Sequence, residues 1–451
     1  MPCLRTTATL LTIAGLAGLP EAVAQESLES PYTSYGFGDL LNTNQVVQAA
    51  MGGVGVAATD PYSVSAQQPA SYAHLLKPTF EVGGLARWMR LRAAGGEQRL
   101  STMRPLGLSV GIPFAQGKAG LALGLSPFTD VGYRINDQGA LPDGATVRYA
   151  YEGSGGLNKA FAGLGTTVWQ KRDSLANGHK LTVGANFVYL FGGIERTRKV
   201  YFPEGANYLN TQAFSSLVMR GPAATVGLQY LGDLRRRSSL DDEPLRWTVA
   251  LSVDPGLAIS ARRTELVNSF TATTTGVETF RDTIAFTDGA RGTVGLPTAY
   301  AIGFGVVSPT WTVTAEVRRR DWSALRIDVE GYALPEGLGP SMSYAVGAAW
   351  TPLGLRNGSF LGRTTYRLGL RHAQDYLRVG GEALRGTALS AGLSLPLMGS
   401  TTRSRFNLGV DLGERSTPAA GRITEGFIDL FVGFTITPDI REVWFRKRRI
   451  E

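Results

Sequence analysis

The chain has 451 residues, 57 of them glycine, with 18% charged side chains and a formal net charge of +8. Its length matches about three soluble domains, but so little charge is lean for a soluble enzyme, and large barrels run this long as one unit. The surplus arginines are spread among alternating stretches, turns and a C-terminal tail instead of forming one stripe, which argues against nucleic acid as a partner.

At the start, Arg5 leads an apolar stretch from Thr6 to Leu19, and the small residues Ala22, Val23 and Ala24 precede Gln25. This reads as a secretory signal over residues 1–24, cut after Ala24. Cys3, the one cysteine of the sequence, lies within it, so the mature chain needs no disulfide. After residue 25 no apolar run reaches 18 residues, and any insertion into a bilayer must use strands.

Residues 25–77 show little sustained alternation. They carry Ser30-Pro31-Tyr32, Tyr35-Gly36-Phe37-Gly38-Asp39, Met51-Gly52-Gly53-Val54-Gly55, Asp60 and Gln68-Pro69-Ala70-Ser71-Tyr72. A stretch this rich in Gly and Ala yet furnished with Tyr and Phe is too apolar for a disordered leader. It is expected to fold as a plug enclosed by the rest of the chain.

From residue 78 to 438 an apolar residue alternates with Gly, Ala, Ser, Thr or a charge. Segments with this rhythm fall near 79–92, 99–113, 118–134, 145–170, 179–202, 210–231, 244–268, 279–308, 310–322, 341–352, 362–374, 386–397, 403–414 and 423–437. In the last two, Phe406, Leu408, Val410 and Leu412 share one face, as do Ile428, Leu430, Val432 and Phe434. Such strands put lipid on one side and a wet or filled lumen on the other, and a bilayer tolerates them only in a closed ring. The fold class is therefore all-β, a transmembrane antiparallel β-barrel of about 14 strands with an N-terminal lumenal plug, placed in an outer membrane. Pro113, Pro309, Pro352, Pro396 and Pro438 end even-numbered segments, so they share one rim, taken as periplasmic. The basic tail 439–451 lies on the same side.

Ten glycines fall on the lumenal parity: Gly120, Gly124, Gly184, Gly227, Gly303, Gly347, Gly369, Gly392, Gly409 and Gly433. They serve either barrel curvature or the close approach of a plug. Glu316, Arg318, Arg367, Arg371, Arg405, Asp411 and Asp429 share that parity. Mixed signs favour an ion-pair network holding the plug, the alternative being a charged pore for small polar solutes.

The third segment meets Pro127 in Ser126-Pro127-Phe128. A proline inside a barrel strand deletes a ladder bond and forces a bulge or kink. Gly153, Gly155 and Gly156 in the next segment can supply a matching bend. Chemistry has little to work with: His74, His179 and His372 are scattered, and only His372 has a carboxylate close in sequence, Asp375. No serine elbow or metal spacing accompanies them, and neither an enzyme nor a cofactor is expected.

The N-terminal stretch resembles the FadL family of outer-membrane transporters for hydrophobic compounds, whose hatch carries a Met/Ala-Gly-Gly segment, an Asp-Ala-like stretch and Asn-Pro-Ala. The matching residues are Met51, Gly52 and Gly53, then Asp60, then Pro69 and Ala70, with Gln68 standing where the family has Asn. The run from Ser30 to Asp39 and the tail Trp444 to Arg449 are similar to an uncharacterised subgroup. The resemblance implies a kinked third strand at Pro127 that opens a lateral gate, through which a hydrophobic small-molecule ligand leaves into outer-membrane lipids. FadL-like barrels also resemble PorV, a docking and shuttle component of a protein secretion system, which implies a secretion-system protein partner instead.

Overall fold

The computed structural model describes residues 30–41, 45–93, 95–115, 118–141, 144–171, 178–203, 208–234, 245–273, 277–332, 337–354, 358–397, 402–417 and 423–438. The expected signal segment, the turn at Gln116 and Gly117 and the basic tail lie outside these residues.

The N-terminal segment contains a 3-10 turn at Pro31–Ser34, the two-residue strand β1 (Asp39–Leu40), the short helix α1 (Val46–Ala49) and a 3-10 turn at Pro69–His74. The first half of the wall is β2 (Thr79–Ala93), β3 (Gly96–Phe114), β4 (Ala119–Pro127), β5 (Thr129–Ala140), β6 (Thr146–Lys171), β7 (His179–Tyr201), β8 (Asn210–Asp233), β9 (Arg246–Asp254) and β10 (Ala258–Ala272). The second half is β11 (Glu278–Gly295), β12 (Ala299–Val307), β13 (Trp311–Asp321), β14 (Arg326–Val329), β15 (Pro340–Trp350), β16 (Thr365–Val379), β17 (Glu382–Pro396), β18 (Arg405–Ser416) and β19 (Thr424–Ile436).

These strands form the 14 staves of one closed antiparallel ring. Both β4 and β5 pair with β6, so together they make the third stave. In the same way β9 with β10, β11 with β12, and β13 with β14 make the seventh, eighth and ninth. The ring closes where β19 pairs with β2, from Ile436 opposite Phe80 to Thr424 opposite Arg92.

The two-residue period sets what each face meets. Leu368, Phe304, Val346, Leu389 and Ile428 point out and stay exposed, while Thr314, Arg367, Ser390, Asp411 and Asp429 point in and are buried. An apolar belt with its ladder bonds made within the ring is the arrangement a bilayer accepts. Trp350 and Tyr366 pack at one edge of the belt with ring centroids 5.7 Å apart, as interfacial aromatics do. Among the described residues no helix is long and apolar enough to cross a membrane.

Inside the ring lies the N-terminal segment, whose irregular backbone is satisfied by side chains of the wall. Glu316 accepts from the nitrogens of Gly55 and Val56 at 2.8 and 2.9 Å. Asn186 donates to the Ala66 carbonyl at 2.9 Å and accepts from the Tyr72 hydroxyl at 3.0 Å, and Gln229 donates to the Val56 carbonyl at 2.9 Å. Backbone groups buried without such partners would each cost on the order of 1–3 kcal/mol. The lumenal glycines let this segment come close. A Cβ at Gly369 would lie 2.1 Å from the Gly52 nitrogen, and one at Gly184 would lie 2.4 Å from the Pro69 carbonyl carbon.

Two segments read from the alternation as single strands, 244–268 and 279–308, are each broken. The breaks fall at Pro255-Gly256-Leu257 and Leu296-Pro297-Thr298. Proline cannot donate to a neighbour's ladder, and each break falls at one. The ninth stave breaks as well, between β13 and β14, where a 3-10 turn at Trp322–Ala324 intervenes.

Candidate functional site

A cavity of about 280 Å³ occupies the lumen between the N-terminal segment and the level of these breaks. Gly52 and Gly53 line its floor, and Pro127 and Phe128 line its side. Leu85, Met89, Leu106, Phe427 and Phe431 of β2, β3 and β19 make an apolar flank, whereas Lys159 comes from β6, Arg318 and Arg320 from β13 and Arg371 from β16.

The wall beside Pro127 is incomplete. β3 pairs with β4 only from Leu108 to Phe114, and its residues 96–107 pair on the β2 side alone. β4 ends at Pro127, opposite Asn158, and the Phe128 nitrogen donates to the Leu157 carbonyl at 2.7 Å. β5 then keeps its ladder with β6 but has left β3. Its other neighbour is β1 of the N-terminal segment, with Asp39 opposite Asp130 and Leu40 opposite Thr129. An interval free of ladder bonds therefore separates the second and third staves, spanned by an Arg104–Asp130 ion pair at 3.0 Å.

The bend in β6 beside this departure uses glycine. Gly155 and Gly156 have φ of 109° and 147°, and a Cβ on either would lie 2.2–2.3 Å from a neighbouring carbonyl oxygen, of Gly193 or Thr129. Only glycine fits such backbone at low cost. Gly153 makes room for the Tyr133 ring.

On the side toward the long strands the lumen is filled by aromatics. Phe37, Trp322 and Tyr376 are at most 1% exposed, with centroids 6.2 Å apart for Phe37 and Trp322 and 5.0 Å for Trp322 and Tyr376. The Tyr376 hydroxyl donates to the Gly38 carbonyl at 2.6 Å. Next to it, Arg415 reaches Asp39 at 2.7 Å, Glu425 at 2.7 Å and Asp375 at 3.3 Å. Burial works to raise the Asp39 carboxyl, but the Arg415 guanidinium outweighs it and holds Asp39 below its ordinary value.

Further lumenal charges are paired too: Arg87 with Asp429, Arg371 with Asp411, Arg318 with Glu316, Arg320 with Asp254 and Arg405 with Asp60. Arg367 instead donates to the Ser394 hydroxyl. Glu316 and Asp60 tie the wall to the N-terminal segment. This is the network alternative, in which opposite charges neutralise one another and line no single-sign pore.

Of the residues singled out in the sequence, Gly52, Gly53 and Pro127 come together around the cavity, with Glu316, Arg318, Arg371, Asp411 and Asp429 of the lumenal charges. Asp60, Gln68, Pro69 and Ala70 do not; they anchor the segment lower down. Gln68 donates to the Leu251 and Leu228 carbonyls at 3.1 and 3.3 Å, so the glutamine reaches the wall. Met51 packs its backbone against Gly347 and Gly369. His372 is exposed and bonds Thr387, while Asp375 turns inward to Arg415, so the two do not act together. Among the described residues no cluster of His, Cys, Asp or Glu could hold a metal ion.

Sequence reasoning missed the Phe37–Trp322–Tyr376 cluster and Lys159. The first joins residues hundreds of positions apart, and its one signal was Phe37 within the Tyr35-to-Asp39 run.

A family model described as BamG matches residues 8–451. Among solved structures, the toluene transporter TbuX of Ralstonia pickettii aligns with a TM-score of 0.53 at 14% identity, over 88% of this chain and 99% of that one. CymD, described as a monoaromatic hydrocarbon channel, aligns with a TM-score of 0.52 at 13% identity, over 88% of this chain and 98% of that one. At such identity the likeness is one of fold. No curated protein matches the sequence.

Proposed function

The chain belongs to the BamG family, and from that footing we propose that it is an outer-membrane channel through which hydrophobic compounds, fatty-acid-like ones among them, pass passively and leave sideways into the bilayer beside Pro127. Residues 25–77 are the plug and residues 78–438 the barrel, preceded by a cleaved signal and succeeded by a periplasmic tail. The observation that carries this reading is the interval without ladder bonds between β3 and β5, placed where Leu106, Pro127 and Phe128 line the cavity. The fold likeness to TbuX and CymD, both described as carrying aromatic hydrocarbons, supports the same class of cargo.

Lateral exit suits such a cargo. An apolar molecule released into water loses about 0.8 kcal/mol for each exposed CH₂, whereas one that slides into the acyl region loses little. Pro127 withholds a ladder donor where the third stave parts from the second. Pro127→Ala restores the donor and is expected to slow uptake of a hydrocarbon into proteoliposomes while the barrel stays folded. Normal uptake in that variant would remove Pro127 from the mechanism.

A second reading, a PorV-like docking barrel that binds a secretion-system protein, is favoured by two observations. The lumen is filled on the long-strand side by Phe37, Trp322 and Tyr376, and Phe280, Ile284 and Phe286 stand exposed on β11. If neither the wild type nor Pro127→Ala passes hydrocarbon, docking becomes the better account.

A further inference from the structure

The cavity beside the wall opening holds a cation that, among the described residues, has no partner. Arg87, Arg104, Arg318, Arg320, Arg371, Arg405 and Arg415 each have an acidic partner within 3.4 Å. The Lys159 ammonium has no ion pair and no hydrogen bond among the described residues, although it lines the cavity with Arg318, Arg320 and Asp254. Of the carboxylates near it, Glu316 and Asp254 are already taken by Arg318 and Arg320, so the Lys159 ammonium is left without a direct ion pair of its own. A half-buried ammonium held away from water without a counter-charge is costly, which makes it a receptor for an anion.

A second unpartnered group sits next to it. In the ladder between β4 and β6, Ser126 lies directly opposite Lys159, on the same lumenal face and one residue before Pro127. Ser126 is 3% exposed, and its hydroxyl oxygen has no hydrogen-bond partner among the described residues. A buried hydroxyl left unbonded costs on the order of 1–3 kcal/mol. Phe128 comes two residues later, with the Arg320 guanidinium 5.7 Å above its ring. The ammonium and the Phe128 ring thus line the cavity at the opening, and the buried Ser126 hydroxyl stands just behind them, across the ladder from the ammonium.

We propose that Lys159 and Ser126 form a headgroup site that holds the phosphate of an amphiphile drawn from the bilayer, with its acyl chain lying in the opening between β3 and β5. The proposal rests on the lateral opening beside Pro127. Phosphate is the anion assigned because the cavity is filled on the long-strand side by aromatics and bounded below by the N-terminal segment. The bilayer beside the opening is then the nearest reservoir, and its amphiphiles carry phosphate heads. An ammonium donates to such a head as a point charge, and the serine hydroxyl can add a bond that none of the described residues uses. Arg318 and Arg320 remain engaged with Glu316 and Asp254 and supply the surrounding positive field.

The test uses the full-length protein, delipidated in a neutral detergent, titrated with dodecyl phosphate, dodecanol, dodecanoate and inorganic phosphate. Dodecyl phosphate is expected to bind most tightly, and Lys159→Met to weaken it at least about tenfold, the loss that one charged hydrogen bond brings. Lys159→Arg should restore most of the binding, and dodecanol should not distinguish the three proteins. A heat-modifiable gel shift verifies that each variant is folded. Equal binding of dodecanol and dodecyl phosphate, or an unaffected Lys159→Met, would overturn the site. Tighter binding of dodecanoate would overturn the phosphate assignment, and binding of inorganic phosphate as tight as that of dodecyl phosphate would overturn the bilayer source. Hydrocarbon uptake by the wild type, measured in parallel, separates the two readings: binding of dodecyl phosphate without any uptake removes only the channel.

Discussion

The two ends of this barrel are built differently. Around residues 45–77 the staves run on with only bulges, at Gly83/Gly84 and Thr167/Trp169, with glycines facing the segment and wall side chains such as Glu316, Asn186 and Gln229 bonded to its backbone. Past the level of Pro127 the third, seventh, eighth and ninth staves are interrupted, glycines adopt positive φ in β6, and β3 parts from β5. A ring whose ladder bonds are nearly all made is hard to deform, because each bond lost in lipid leaves a group unsatisfied. Places where bonds are already missing are the ones able to move. Hence the unbroken end holds shape, and the broken end is where the proposed lateral passage lies.

The largest effect expected from breaking this contrast comes from emptying the first end. Deleting residues 26–75 removes the segment and should raise single-channel conductance in planar bilayers several-fold, since the wall left behind is a wide polar ring; unchanged conductance would mean the segment does not plug the lumen.

Next in size is the charge cluster at the long-strand end. Arg415→Ala strands Asp39, Asp375 and Glu425 around an empty centre, and loss of the cation from a buried network costs about 3–5 kcal/mol. Urea unfolding in lipid should show the deficit, whereas Arg405→Ala, whose ion pair to Asp60 is 3.4 Å long, should cost clearly less. Equal costs would erase the distinction.

The smallest effect is a pH dependence at the unbroken end. Burial pushes the His74 imidazole down to about 3, with the Lys180 ammonium acting in the same direction. The neutral ring bonds Gln229 at 3.0 Å and Lys180 at 3.1 Å. The unfolded chain takes up a proton near pH 6.5 while the folded one does not until about pH 3. Stability contributed by the neutral ring is therefore complete above 6.5 and falls with pH below it, by at most about 1.4 kcal/mol per unit. His74→Gln should flatten that slope between pH 6.5 and 4; a slope unchanged by the substitution would place the dependence elsewhere.

The same contrast decides which features were legible in the sequence. Alternation is a local property, so Phe406 to Leu412 and Ile428 to Phe434 declared their strands and their faces, and Pro127 marked an interruption. Pro255 and Pro297 mark interruptions of the same kind, but the alternation continued across them and hid the breaks. The lumenal glycines announced that something came close without saying what. Lys159 could not be recognised from its neighbours, because being unpaired is a property of the whole ring: Arg87, Arg318, Arg320, Arg371 and Arg405 find carboxylates on the wall or on the N-terminal segment, and among the described residues the lysine finds none. The Trp322–Tyr376 contact likewise arises only once the ninth and eleventh staves stand in place.

The seam between β2 and β19 joins the first and last staves of the wall, and the segment it encloses precedes both in the chain. Before that ladder zips, the sheet can curl around its own leading end; afterwards the leading end can leave only lengthwise, past the carboxylates and amides that grip it. Closing the seam thus acts as a topological lock, and it makes the order of assembly a condition for having the lumen occupied at all.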